Sequence, residues 1–126
     1  FTGPFIQYTN ARISAILRKA ESMNIRVSEN DFKTVTALEP AERDTVYLLS
    51  LLEGKVQEAA SSYSPAVMAN YAYELARQYN QFYQNIPIFN EADQAKLKFR
   101  IALSASIASA IKKSMNLLGI PVPDRM

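Results

Sequence analysis

The chain has 126 residues, 48% of them hydrophobic, with a formal net charge of +2, which is the size and balance of one domain able to bury its own core. It contains no cysteine and no histidine, which argues against disulfide staples, a zinc site and any hydrolytic triad that needs an imidazole base. The most apolar run, Ile101 to Ile111, is interrupted by serines and too short to span a bilayer, and no secretory signal opens the sequence.

Gly3-Pro4 punctuates the start, and proline suits a first helical turn because its missing N–H would have had no partner there. Ile6, Ile13, Ile16, Leu17 and Ala20 then recur at helical spacing and predict a core face on a helix ending near Met23-Asn24. Phe5, Tyr8, Arg12 and Lys19 fall on a second face, roughly 120° round at about 100° per residue. From Asn24 to Leu38 no period is sustained; this is a connector with a short helical turn opening at Ser28 and Phe32 turned inward.

Glu39-Pro40 restarts the chain, with Glu42 and Asp44 placed to complement a helix dipole. Val46, Leu49, Leu52, Val56 and Ala59 predict a second long helix to about Ser61. Ser64-Pro65 opens a third, whose core stripe is Met68, Tyr71, Leu75, Tyr79 and Phe82. Asn90 is the predicted N-cap of the fourth, with stripes through Leu97, Ile101, Ala105, Ala108, Ile111, Met115 and Leu118 and through Leu103, Ile107, Ala110 and Leu117. An apolar girth this wide predicts a helix buried on most sides. Lys112 and Lys113 stand near its end, Gly119 stops it, and Pro121 and Pro123 stiffen an extended tail to Met126. The expected fold is all-α: one domain over residues 1–126, a bundle of four long helices plus a short connector helix, with an extended C-terminal tail.

Charge is unevenly spread. Residues 1–27 carry four basic groups against Glu21, residues 28–95 four against ten acidic ones, and residues 96–126 six against Asp124. If the first and last helices lie together, they gather a cationic surface able to attract phosphates; scattered, solvated charge is the alternative. The face bearing Phe5, Tyr8, Arg12 and Lys19 also has two readings. Its rings can pack on a neighbouring helix, or they can stack unpaired bases while the cations hold phosphates. The three glycines are too far apart for a phosphate-cradling loop.

The opening stretch GPFIQYTNARISAILRKA resembles the start of the C-terminal, anticodon-binding domain of arginyl-tRNA synthetase. There a Gly-Pro-aromatic-x-Gln-Tyr-x-x-x-Arg helix runs into an Arg-Lys-Ala end, matched here by Gly3, Pro4, Phe5, Gln7, Tyr8, Arg12, Arg18, Lys19 and Ala20. LARQYNQFYQNIPI, from Leu75 to Ile88, is similar to that family's Leu-Ala-x-x-aromatic-Asn-x-Phe-Tyr helix end, and LLGIPVPDRM to its terminus. Position 5 is more often tyrosine there, and the residue at Asp124 more often glutamate. Tyr71 to Arg77 matches only loosely the Asp-Ala-Leu-Arg pattern that names the domain class.

The resemblance implies recognition of the anticodon loop of arginine tRNA. It implies RNA contacts from Phe5, Gln7, Tyr8, Arg12, Lys19, Asn80, Tyr83, Lys112, Lys113, Arg125 and Met126, the last packing on an anticodon base. It implies no catalytic residue and no cofactor in this domain. ATP and Mg would belong to the catalytic domain of the same synthetase, an ATP-dependent class I ligase. The expected setting is a cytoplasmic monomer away from membranes. The chain opens at Phe1 inside a motif, as expected of a piece of a longer protein. Two alternatives stay open: the corresponding domain of another class I synthetase, and a helical protein–protein interaction module.

Overall fold

Proline starts and left-handed stops divide this chain into helices. The computed structural model describes residues 2–123. They form α1 (Thr2–Ser22), a 3-10 turn (Glu29–Phe32), α2 (Pro40–Ser50), α3 (Leu52–Ser62), α4 (Pro65–Asn85) and α5 (Gln94–Leu117), with no strand among the described residues. Pro40 and Pro65 each occupy the first turn of their helix. Asn24, Tyr63 and Gly119, with φ of 59°, 51° and 75°, follow the ends of α1, α3 and α5. Each is closed by the same pair of backbone bonds. After α5, for example, the Ile120 N–H donates to the Met115 carbonyl and the Gly119 N–H to that of Asn116, both at 3.0 Å. This is the left-handed helix stop that glycine adopts without strain and tyrosine does not.

Two boundaries differ from the sequence pattern. The predicted helix from Pro40 to Ser61 is broken at Leu51, which takes φ −84° and ψ −2°. Carbonyls freed at the break are met from outside: the Tyr71 hydroxyl donates to Leu48 O at 2.8 Å and also lies 3.3 Å from Leu49 O. The last helix begins at Gln94 rather than after Asn90. Asp93 is its cap, its Oδ1 accepting from the Ala95 and Lys96 N–H groups at 2.9 and 3.3 Å. Glu91 stays outside the helix, its carboxylate accepting from Arg100 and from the Asp93 N–H.

α5 is the hub and packs on α1, α4, α2 and the 3-10 turn. Ile101, Leu103, Ile107 and Ile111 of α5 are buried with Ile6 and Ile13 of α1 and Leu75, Tyr79 and Phe82 of α4. Buried Ala102, Ala108 and Ala110 let the neighbours approach closely. No helix is long and apolar enough to cross a membrane among the described residues.

One charged cluster sits inside this core. Arg100 is buried, and its Nε donates to Glu42 Oε2 at 2.8 Å. Its Nη1 donates to Glu91 Oε1 at 2.8 Å and to the Pro87 carbonyl at 2.9 Å. Burial pulls the Arg100 pKa down, but the bonds and charge of Glu42 and Glu91 outweigh it and hold it above the ordinary value. The other Glu42 oxygen accepts the Glu39 N–H at 2.8 Å, closing the first turn of α2. One guanidinium therefore ties α2, the α4–α5 loop and α5 together.

Glu42→Gln leaves the buried Arg100 with Glu91 as its remaining charged partner; the variant should lose about 1.5–3 kcal/mol in urea unfolding, the range for a hydrogen bond between charged groups. Tyr63, 93% exposed at its positive φ, has little packing to lose, so Tyr63→Gly should raise stability by about 0.5–1 kcal/mol in the same assay.

Candidate nucleic-acid interface

α1 and α4 lie side by side on α5 and run parallel, so that Phe5 meets Tyr73 and, two turns on, Arg12 meets Asn80. The helical period aims Tyr8 and Arg12 of α1, and Asn80 and Tyr83 of α4, into the outer rim of this seam. Arg12 is at its centre. Its guanidinium carbon lies 5.0 Å from the centroid of the Tyr8 ring and 4.6 Å from that of Tyr83. Nη1 donates to Asn80 Oδ1 at 2.6 Å and Nη2 to the Tyr8 hydroxyl at 2.8 Å. Both rings still reach water, Tyr8 being 48% and Tyr83 40% exposed. A flat cation between two rings is held by quadrupole attraction and loses little hydration there.

Beneath the rim the seam is polar but closed. Asn80 Nδ2 donates to Thr9 Oγ1 and to the Ala76 carbonyl, both at 2.8 Å. The Thr9 hydroxyl donates in turn to the Phe5 carbonyl at 2.9 Å. Deeper still, Tyr79 packs near Tyr83 with centroids 6.3 Å apart, and its hydroxyl lies 2.9 Å from Ser104 Oγ of α5. Burial pushes the Tyr79 phenol up to about 12, with the Ser104 hydrogen bond pulling the other way; burial also raises Tyr71 to about 12.

Four of the residues singled out from the sequence thus converge: Tyr8, Arg12, Asn80 and Tyr83. Lys19 continues the same edge one step further. Its Nζ lies 4.5 Å from the centroid of the Phe89 ring, and with Tyr83, Ile88 and Phe89 it lines a cleft of about 200 Å³. Phe5 is half-buried against Tyr73, with ring centroids 5.8 Å apart, so most of its surface serves packing. Gln7 points to the other side of α1, where its Nε2 is 3.4 Å from the Pro121 carbonyl, and Asn10 Nδ2 is equally far from that of Pro123. These two amides hold the tail against α1.

The two lysines of α5 do not join the tyrosines. Lys112 lines a groove of about 580 Å³ between α1 and α5 with Ser14 and Arg18, and Ser14 is about 200° round α1 from Arg12. Lys113 faces α3, 3.6 Å from Glu53. Arg125 and Met126 lie outside the described residues. Two participants had no signal in the sequence. Phe89 sits in an aperiodic loop, and Thr9 reads as an ordinary helical residue until its hydrogen bonds are seen.

Exposed rings flanking a guanidinium along a helix seam are the equipment of a module that binds unpaired nucleic acid. Residues 6–126 match the DALR anticodon binding domain, and the chain belongs to that family. It is 46% identical over 125 residues to an arginine–tRNA ligase of Flavobacterium psychrophilum and 44% identical over the same length to one of Phocaeicola vulgatus. Each match covers 99% of this chain and 20% of the relative, so the chain spans about a fifth of their length. Among solved structures, the arginyl-tRNA synthetase of Thermus thermophilus is similar with a TM-score of 0.83 at 31% identity, over 98% of this chain and 21% of that one.

The raised phenols give this core an alkaline signature. Tyrosine ionises near pH 10 in the unfolded chain, whereas Tyr71 and Tyr79 wait until about 12. The unfolded state therefore loses those protons first, and stability must fall as pH rises from about 10 to about 12, by up to about 1.4 kcal/mol per pH unit for each phenol. Spectrophotometric titration should show two of the seven tyrosines ionising late, and one fewer in Tyr79→Phe.

Proposed function

We propose that this chain is the anticodon-binding part of an arginine–tRNA ligase, and that the rim of the α1–α4 seam is where the anticodon loop of arginine tRNA stacks. The observation that carries this reading is the pair of half-open tyrosine rings, Tyr8 and Tyr83, on either side of Arg12. Loop bases are already unpaired, so stacking on a ring needs little disruption of the RNA. Arg12 and Lys19 supply positive charge along the same edge, and phosphates approaching them release counterions. Asn80, its amide hydrogens spent inside the seam, holds Arg12 at the floor of the rim. The parts assigned to Arg125 and Met126 rest on the resemblance of the terminus. Gln7, Lys112 and Lys113 stand on other faces, where they can meet only more distant RNA backbone or, for Gln7, act by holding the tail.

On this reading the chain performs no chemistry of its own. The remaining four-fifths of the ligase bind ATP and magnesium, activate arginine and accept the tRNA that this domain selects. The parent protein acts in the cytoplasm as a monomer, with arginine tRNA and its own catalytic domain as partners.

Anticodon stem-loops titrated with the chain provide the test. Arginine anticodons should bind more tightly than others. Tyr8→Ala and Tyr83→Ala should each weaken binding about five- to 150-fold, the range of about 1–3 kcal/mol per stacked base. Removing Met126 should erode the preference among anticodons. Identical binding of every stem-loop, unchanged in these variants, would overturn base recognition. Salt-insensitive capture of a protein instead would favour an interaction scaffold.

A further inference from the structure

We propose that Thr9, which is fully buried, is a positioning residue of this interface: through Asn80 it fixes the Arg12 guanidinium between the two tyrosine rings. The inference rests on the nucleic-acid reading of the seam only for its functional consequence; the positioning itself follows from hydrogen-bond direction.

A threonine hydroxyl has one hydrogen. That of Thr9 is committed to the Phe5 carbonyl at 2.9 Å, so toward Asn80 the oxygen can only accept. Only the NH₂ end of the Asn80 amide can satisfy it, and that end lies 2.8 Å away. The second Nδ2 hydrogen goes to the Ala76 carbonyl at 2.8 Å. The amide oxygen is thereby turned outward, where it accepts from Arg12 Nη1 at 2.6 Å. Arg12 can only donate, so a reversed amide would set donor against donor and release it. The Thr9 hydroxyl, with the Ala76 carbonyl beside it, thus sets the direction of every bond from the Phe5 carbonyl to the guanidinium.

Replacing that hydroxyl by a methyl group leaves one Nδ2 hydrogen without an acceptor inside the seam. Asn80 then turns toward water, and Arg12 keeps its charge but loses its place. This separates positioning from electrostatics. Arg12→Ala should remove one phosphate contact and lower the slope of log affinity against log salt by about 0.7. Thr9→Val should leave that slope unchanged while weakening stem-loop binding about fivefold, as expected for one lost hydrogen bond.

The decisive readout needs no RNA. Nitrogen-15 NMR of the chain should show separate, slowly exchanging Arg12 Nη signals in the parent and in Thr9→Ser, which keeps the hydroxyl. Thr9→Val should collapse them to an averaged signal, while its helical circular dichroism shows that it remains folded. Persistence of the separate signals in Thr9→Val, or their loss in Thr9→Ser, would overturn the proposal. Should Thr9→Val fail to fold, Thr9→Ala takes its place with the same expected loss, and persistence of the separate signals in Thr9→Ala or in Asn80→Ala would overturn the proposal. Signals that respond as expected while no variant binds any stem-loop would support the relay and overturn the anticodon reading, so the two can fail separately.

Discussion

The constraint on which this fold depends is that α5 keeps only a narrow strip, through Ser109, Lys113 and Asn116, for water. Ile101, Leu103, Ile107, Ala110 and Ile111 spread over about half of the helix circumference at about 100° per residue, and all are buried. Such a helix is stable in water only when other elements enclose it. α1 and α4 each bury their own apolar stripe on it, and their shared support brings them side by side. The α1–α4 seam is thus a by-product of burying a third helix. Small residues contribute to the same end: without Ala102 and Ala108 the flanking helices would stand off, and the rim residues of α1 and α4 would no longer reach one another.

Much of this was legible because helix faces follow from spacing alone. Tyr8 and Arg12 share a face four residues apart, and Asn80 and Tyr83 share one three apart; once two helices are known to touch, each pair brings its own rim. The misreadings have a common cause, which is a partner distant in sequence. The interruption at Leu51 is supported by Tyr71, twenty residues on, and no local pattern encodes it. Asn90 and Asp93 are both sound caps, and the choice is made by Arg100 drawing Glu91 out of the first turn. Lys112 and Lys113 are sequence neighbours, yet one lines the α1–α5 groove and the other faces α3, because adjacent helical residues diverge by about 100°.

Charge shows the same limit. Counting placed six basic groups in the final segment, but Arg100 is consumed inside the protein by Glu42 and Glu91 and Lys113 stands beside Glu53. What remains for a polyanion is decided by pairing rather than by number. The cation at the centre of the α1–α4 seam, Arg12, is one among several in the sequence and is distinguished only by what surrounds it.

Those surroundings explain why the position suits arginine rather than lysine. The side chain must reach two rings at once while donating to an amide oxygen and to a phenol. A guanidinium is planar, weakly hydrated on its faces and rich in coplanar N–H groups, so one conformation meets all four demands. An ammonium can face one ring or donate to both acceptors, but its tetrahedral donors cannot do both, and it gives up more hydration on entering the gap. Charge alone would be conserved by lysine, whereas the geometry that keeps the two rings apart and partly open would not. The guanidinium therefore acts as a spacer as well as a cation, held in place by the Asn80 amide oxygen and the Tyr8 hydroxyl.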